Sequence, residues 1–329
     1  MGDRMLIVMK EQLESLNALT INFGTGGMFI VNIILAFVMF GVALGIKPQT
    51  FKDVFKNPKS VIIGVCSQWI ALPAVTFLVA IALNQWITPM IALGMILVAS
   101  CPGGNISNFM SSLSKGNIEL SVSMTAITTA FAPIVTPFNF FFWGSLYSHV
   151  ISIQNDLPRL VIPFFPMLEQ ILLLLGVPIF LGLLFARYFP NATKKITKPA
   201  QILSILLFIA MAIVSFSQNF QLIVDNIIYV FFIVLLHNAS ALGAGFLGGT
   251  LGKVPVADRR SLTIETGIQN SGLGLILLFN PAIFPPEIWH GHYGGMLFIT
   301  AWWGIWHIVS GLTVAFLFRR KPLPQQEQA

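Results

Sequence analysis

The chain has 329 residues, of which 56% are apolar and only 9% are charged, and its formal net charge is +6. A soluble domain averages about 25% charged residues, so this composition excludes a water-facing surface over most of the protein. The apolar residues fall in blocks of about 20, the length of a membrane-spanning helix, and not in the alternating segments of a β-barrel. The lipid bilayer is therefore the predicted environment. The basic residues form no run, and we expect no nucleic-acid partner.

Residues 1–26 precede the first apolar block and are predicted to lie outside the cytoplasm. Charged residues such as Lys10, Glu11 and Glu14 are scattered among apolar ones there. This pattern predicts a short amphipathic helix over residues 3–20 that lies at the membrane surface. The segment lacks the continuous apolar run of a signal peptide.

Nine spanning helices are predicted to follow, and together they form one transporter domain over residues 27–318. A short polar tail, residues 319–329, ends the chain. The nine predicted spans are residues 27–46, 60–83, 89–113, 118–144, 166–186, 200–218, 226–250, 262–283 and 294–318.

The loops between these spans differ strongly in charge. All of the 18 lysines and arginines except Arg4, Lys10 and Arg159 follow an odd-numbered span. Basic loops are retained in the cytoplasm, so the N-terminus is predicted outside the cell and the C-terminus in the cytoplasm. We expect a multi-pass protein of the cell (inner) membrane.

Two predicted spans contain sequences that oppose a continuous helix. The third passes into Cys101-Pro102-Gly103-Gly104, where proline removes a backbone donor and each glycine costs about 1 kcal/mol. The eighth contains Gly267, Gln269 and Gly272 within an apolar stretch. Unwound backbone at membrane depth is tolerated only where it is buried in protein or lines a wet cavity. Both interruptions are therefore candidate binding regions.

Five predicted helices separate the two interrupted spans, so these two spans run in opposite directions. This arrangement predicts an inverted repeat, in which half-helix ends converge on a mid-membrane binding site. Helix N-termini favour anions and unwound carbonyls favour cations, so the pattern predicts secondary transport. An enzyme is not predicted, because no His-Glu-x-x-His or Gly-x-Ser-x-Gly motif occurs. A channel would not need two inverted, broken helices, and without a nucleotide-binding motif we expect no coupling to ATP.

Glu265 is the most informative single residue, because a carboxylate within a membrane helix costs at least ~2.5 kcal/mol and normally has a cation or donor partner. The other candidate ligands are hydroxyl and amide side chains, which favour a hard cation over a transition metal. They are Gln68, Ser107, Asn108, Ser121, Thr125 and Gln269. Sodium fits better than calcium, since carboxylates are few. Proton coupling stays open, because a lone buried carboxylate could titrate instead.

The chain resembles the bile acid:sodium symporter family over nearly all of its length after Ile30. The segments that carry the resemblance are Phe40-Gly41-Val42-Ala43-Leu44 with Lys47-Pro48, Cys101-Pro102-Gly103-Gly104 with Ser107-Asn108, Lys115-Gly116-Asn117 with Leu120-Ser121, Leu236-His237-Asn238, Glu265 and Gly267 with Gln269-Asn270-Ser271-Gly272, and Trp306-His307. The resemblance implies a panel domain of spans 1, 5 and 6 and a core domain of spans 2–4 and 7–9, with alternating access by their relative movement.

The resemblance also implies two bound sodium ions and one anion. Sodium site one would comprise Ser107, Asn108, Ser121, Thr125 and Glu265. Sodium site two would comprise Gln68, Glu265 and Gln269 with backbone carbonyls near Thr266 and Ile268. The anion would lie near Asn105, Asn270 and His307.

The predicted function is a sodium-coupled symporter, working as a monomer, that imports a small organic anion such as a bile acid, a steroid conjugate or another carboxylic acid. The alternative is a proton-coupled or uniporting carrier on the same fold. The identity of the anion stays open, because Asn105 stands where some relatives carry threonine. His237 and the adjacent Asn238 are predicted to hydrogen-bond to other helices and not to bind a ligand, and Glu169 has no evident role.

Overall fold

A computed structural model of the protein describes residues 10–16, 24–46, 58–155, 162, 164–217, 220–280, 283–284 and 293–324. The described part of the chain is all-α, as its composition predicts. Its main helices are α1 (Gly24–Leu44), α2 (Pro58–Ala82), α3 (Pro89–Ser100), α4 (Ile106–Leu113), α5 (Ile118–Asn155), α6 (Phe164–Tyr188), α7 (Pro190–Ser217), α8 (Phe220–Leu251), α9 (Val256–Gly267), α10 (Ser271–Leu278) and α11 (Gly294–Arg320).

Each of the nine predicted spans coincides with one of these helices or with a pair of half-helices. Among the described residues, α2, α5, α6, α8 and α11 are long and apolar enough to cross a membrane, and α3 is a shorter apolar helix. The count of nine spans stays a prediction. Several helices extend beyond their predicted limits, and the largest extensions are those of α5, which continues to Asn155, and of α7, which begins at Pro190. Hydropathy identifies only the part of a helix that crosses lipid, so the polar residues at these helix ends were not assigned to the spans.

Two helices contain one wider turn each, with hydrogen bonds from residue i to i+5. These turns are Ser67–Ala71 in α2 and Leu172–Gly176 in α6. Pro73 and Pro178 lie just after them. A proline has no N–H to donate to the preceding turn, so the ladder shifts there by one residue. In α2 the wider turn carries Gln68, which is buried.

The predicted N-terminal amphipathic helix lies partly within the described residues, over 10–16. Leu13 and Leu16 are fully buried within the main hydrophobic core. Nδ2 of Asn226 in α8 lies 3.4 Å from Oγ of Ser15. The apolar face of this segment therefore packs on the protein, whereas the sequence pattern predicted contact with the membrane. The rest of the predicted helix lies outside the described residues.

The helices pack in two groups. In the first group, α1 contacts both α6 and α7, which are the helices of the predicted panel. In the second, α8 contacts α2, α9 and α11, and α3 contacts α5 and α11. The two groups also touch each other, since α6 contacts α5, and the division into a panel and a core stays a prediction.

The closest approach between α8 and α9 depends on small residues, as is common where membrane helices pack. A Cβ added at Gly245 would lie 2.5 Å from the carbonyl oxygen of Leu262 and 2.9 Å from Cα of Thr263. Both atoms belong to the backbone, so the two helices would have to separate.

We expect Gly245→Ala to destabilise the protein by about 2 kcal/mol, the usual effect of overpacking a tight interface. The loss is measured as a lower melting temperature of the purified protein in detergent. Gly243→Ala is the matched control on the same helix, because an added Cβ there meets nothing within 4 Å. Equal melting temperatures for the two variants would contradict this role of Gly245.

Candidate functional site

The two interrupted helices cross where both are unwound. The first break separates α3 from α4, and the second separates α9 from α10. The unwound segments run antiparallel: the N–H of Gly104 donates to the carbonyl of Ile268, and the N–H of Asn270 donates to the carbonyl of Pro102, both at 2.8 Å. The crossing therefore satisfies backbone groups that a broken membrane helix would otherwise leave without partners.

Glu265 lies in the last turn of α9, close to this crossing, and is fully buried. Its carboxylate accepts hydrogen bonds from the hydroxyls of Ser107 at 2.5 Å, of Thr125 at 2.9 Å and of Ser121. All three partners are neutral hydroxyl groups. Because a helix C-terminus carries partial negative charge, this position is unfavourable for a carboxylate unless positive charge lies nearby.

Asn108 completes the arrangement around this carboxylate. Its Oδ1 lies 2.8 Å from Ser121 Oγ and 3.4 Å from Thr125 Oγ1. Each of these hydroxyls has one proton, so it cannot donate to Asn108 and to Glu265 at the same time. All five residues predicted for sodium site one therefore lie together, and we call them the Glu265 cluster: Ser107, Asn108, Ser121, Thr125 and Glu265. Their polar side chains present oxygen ligands from α4, α5 and α9, which is the donor set of a hard cation. The described residues contain no group of three or more metal-binding side chains of the His, Cys, Asp or Glu type.

The residues predicted for sodium site two contact backbone carbonyls at the end of α9. Nε2 of Gln68 donates to the carbonyl of Glu265, and Nε2 of Gln269 donates to the carbonyl of Thr266, both at 2.9 Å. Among the described residues, Oε1 of both glutamines and Oγ1 of Thr266 have no hydrogen-bond partner. The Ile268 carbonyl accepts one hydrogen bond, from Gly104, and retains a second lone pair.

Buried oxygen atoms without partners are costly, at about 1–3 kcal/mol each. The three oxygens of Gln68, Thr266 and Gln269 are each shielded from solvent. A cation would satisfy them, whereas a further hydrogen-bond acceptor would not. The side-chain chemistry of this second set therefore also fits a sodium ion.

The three residues predicted for the anion, Asn105, Asn270 and His307, line one cavity of about 530 Å³. The N-termini of α4 and α10 border it, and Asn270 caps α10 by accepting from the N–H of Leu273 at 3.0 Å. The other lining residues are mostly apolar and include Ile213 of α7. Such a cavity suits a small molecule with an apolar body and an anionic group.

The predicted pair of His237 and Asn238 bonds to two neighbouring helices. Nε2 of His237 lies 2.8 Å from Oγ1 of Thr76 in α2, and Nδ2 of Asn238 donates to the carbonyl of Gly267 at 2.8 Å. Both side chains are fully buried. They therefore position helices around the crossing. Glu169 is exposed on the surface of α6, away from the crossing.

Sequence reasoning did not single out every residue at the crossing. Oγ1 of Thr128 accepts from the N–H of Gly103 at 3.4 Å. Thr128 is three residues beyond Thr125 on α5, one helical turn away. This spacing could have indicated from the sequence that Thr128 faces the same way as Thr125. Gln201 also lies close to the Glu265 cluster, across a small cavity. The sequence feature that could have identified Gln201 is its uncharged amide near the start of an apolar span.

Comparison with known proteins gives a consistent result. A profile of the sodium bile acid symporter family matches residues 32–226. A protein of Bacillus subtilis described as the uncharacterized sodium-dependent transporter YocS is 34% identical over 274 residues, which cover 81% of each chain. This chain belongs to the sodium bile acid symporter family.

More distant members of the family are longer than this chain. The probable chloroplastic sodium/metabolite cotransporter BASS2 of Oryza sativa subsp. japonica is 28% identical over 260 residues, 77% of this chain and 58% of that one. The human P3 protein is 27% identical over 231 residues, 70% of this chain and 46% of that one. The chain therefore spans less than two thirds of these relatives. As a member of the sodium bile acid symporter family it is a multi-pass membrane transporter, not an enzyme.

Proposed function

We propose that this protein is a sodium-coupled symporter that carries a small organic anion into the cell by alternating access. The observation that carries the proposal is the Glu265 carboxylate, which is fully buried in a membrane protein among neutral oxygen ligands. A sodium ion bound by the Glu265 cluster would neutralise it. Sodium as the coupling ion is supported by two relatives: YocS is described as a sodium-dependent transporter, and BASS2 of Oryza sativa subsp. japonica as a probable sodium/metabolite cotransporter.

We further propose a second sodium ion, bound by Gln68, Gln269 and the backbone near Thr266 and Ile268. The two sites share Glu265: its carboxylate belongs to the first site, and its carbonyl accepts from Gln68 of the second. A single negative charge would thus be balanced by two cations, leaving a net positive charge beside the crossing. That excess charge would favour binding of an anion in the adjacent cavity.

Coupling between cation and anion follows from the shared unwound segments. An added Cβ at Gly103 would lie 3.0 Å from the Glu265 carboxylate, whereas the next residue, Gly104, lines the anion cavity. Gly103 therefore lies beside the proposed sodium ligands, and Gly104 lies beside the proposed anion site. An ion that orders this segment also orders the start of α4, where the anion would bind, so each ligand would raise the affinity of the other.

Transport would require α1, α6 and α7 to move relative to the remaining helices. Ile213 of α7 lines the anion cavity together with core residues such as His307. We propose that the loaded protein moves between outward- and inward-facing states at this boundary. It would work as a monomer in the cell membrane, with its N-terminus outside.

The proposal is tested with purified protein in proteoliposomes. Cholate, a steroid sulfate, pantoate and pyruvate represent the anion classes that fit the cavity. We expect at least one of them to raise the melting temperature only when sodium is present, and to be taken up along an inward sodium gradient. Uptake that persists when potassium replaces sodium would contradict sodium coupling. If a proton gradient then drove uptake, the alternative carrier function would replace the proposal.

A further inference from the structure

A second, smaller cavity lies beside the Glu265 cluster, between the two groups of helices. Its volume is about 280 Å³. From one group, the cavity is lined by Val42 of α1, by Gly45 and Ile46 just after α1, and by Gln201 of α7. Residues of α4 and α5 line it from the other: Asn105, Asn108, Val122, Thr125, Ala126 and Thr129.

This cavity contacts the Glu265 cluster directly. Asn108 and Thr125 line the cavity and also belong to the cluster, where both hydrogen-bond around the buried carboxylate. A cation that leaves the cluster past these two residues therefore enters the cavity.

The cavity also lies toward the predicted cytoplasmic side. Val42, Gly45 and Ile46 lie at and just after the end of α1, and the basic residues Lys47 and Lys52 follow them in the sequence. Val122 is close to the start of α5, which follows Lys115. From Val122 to Thr129 the lining extends about 10 Å along α5, at 1.5 Å per residue. Thr125 of the Glu265 cluster lies within this stretch, so the cavity runs beside the cluster near the predicted cytoplasmic end of α5.

Its chemistry suits a sodium ion in passage. Half of the lining side chains carry a neutral oxygen, and none carries a charge. Neutral oxygens can replace water around a cation without holding it as tightly as a carboxylate does, which is the requirement for a pathway. Polar residues at membrane depth commonly mark ion pathways.

Gln201 is the lining residue that reaches across from α7. Its amide lies close to Gly45, just after α1, because a Cβ added at Gly45 would be 2.7 Å from Nε2 of Gln201. The missing side chain at Gly45 therefore leaves the space that the amide occupies. Gln201 thus lines the same cavity as Asn108 and Thr125, which belong to the other group of helices.

We infer that the sodium ion of site one exchanges with the cytoplasm through this cavity, and that Gln201 is a transient ligand at its mouth. This route rests on the sodium symport proposed above. Gln201 belongs to the helix group that moves during transport, so it can accept the ion only in the state that brings α7 beside α4 and α5. The residue would set the rate of sodium exchange without contributing to the equilibrium affinity of the site.

The test uses sodium alone, with purified protein in detergent and potassium chloride as the background salt. Equilibrium dialysis with ²²Na⁺ measures affinity, and ²³Na NMR relaxation measures the exchange rate. For Gln201→Leu we expect an affinity within about twofold of wild type and an exchange rate about tenfold lower, equivalent to about 1.4 kcal/mol of barrier. Gln201→Asn keeps the amide and should restore most of the rate.

Two further variants separate the outcomes. Gln170→Leu changes a half-buried glutamine of α6 outside the cavity and should leave both quantities unchanged. Asn108→Ala should lower the equilibrium affinity. An unchanged exchange rate in Gln201→Leu, or a loss of affinity as large as that of Asn108→Ala, would overturn the inference. Absence of sodium binding by the wild-type protein would instead overturn the proposed function.

Discussion

Glu265→Gln is expected to remove sodium binding while leaving the protein folded. The carboxylate is the one charged group of the Glu265 cluster, and a unit charge about 4 Å from a cation contributes roughly 4 kcal/mol at an effective dielectric constant of about 20. Its loss should lower sodium affinity by at least about a hundredfold. Glutamine has nearly the same shape, and the three hydroxyls of Ser107, Ser121 and Thr125 can rotate to bond it.

Melting temperatures measured in sodium and in potassium provide the simplest test. A ligand that binds only the folded state stabilises it in proportion to the logarithm of its concentration over Kd. Wild type should therefore melt at a higher temperature in sodium, and Glu265→Gln at the same temperature in both salts. ²²Na⁺ binding should fall to background in parallel.

Two matched variants show whether the effect is specific to this position. Glu169→Gln removes an exposed carboxylate of α6 and should retain the full sodium effect. Gln68→Leu should remove only the second ion, so that about half of the bound ²²Na⁺ remains. If Glu265→Gln still melted at a higher temperature in sodium, the carboxylate would not be the sodium ligand.

The sequence allowed the position of the crossing to be predicted because the signals are local. Pro102 and the two glycines after it interrupt the third span within four residues, and α3 does end at Ser100. Glu265 could be identified for the same reason, because a carboxylate within a predicted span is recognised from its neighbouring residues alone. The cost of burying a charge is large enough to identify such a residue from the sequence alone.

Contacts between distant segments could not be predicted from the residues alone. Gln68 is 197 positions from Glu265, and it reaches the Glu265 carbonyl from within the wider turn of α2. A proline at position 73 permits such a turn but does not require one. The contact between His237 and Thr76 is similar, because either polar residue could have bonded within its own helix. Family resemblance, not periodicity, placed Gln68 in a sodium site.

The two cavities also depend on the arrangement of whole helices. Asn105 lines both of them, at the start of α4. One cavity is lined by residues of α10 and α11, and the other by residues of α1 and α5. A single short segment thus separates a candidate anion site from a candidate sodium pathway. Any movement of α4 would therefore change the shape of both cavities.

Gly103 is the residue at which the geometry of both sodium sites is most constrained. A Cβ added there would lie 2.7 Å from Nε2 of Gln68 and 3.0 Å from Oε2 of Glu265. Gln68 belongs to site two, and the Glu265 carboxylate belongs to site one. A methyl group would therefore displace a ligand of each site at once.

We expect Gly103→Ala to lower sodium affinity at least tenfold and to change the free energy of unfolding in potassium by less than about 1 kcal/mol, because the displaced atom of Gln68 is the flexible end of a side chain.

Gly104→Ala is the matched comparison: its Cβ would instead lie 3.3 Å from the backbone oxygen of Gln269. That variant should disturb the pairing of the unwound segments and so lower the melting temperature in both salts. ²²Na⁺ binding together with melting in potassium distinguishes the two effects. Retention of wild-type sodium affinity by Gly103→Ala would show that the ions do not bind between Gln68 and Glu265, because a methyl group cannot enter that space without moving both side chains.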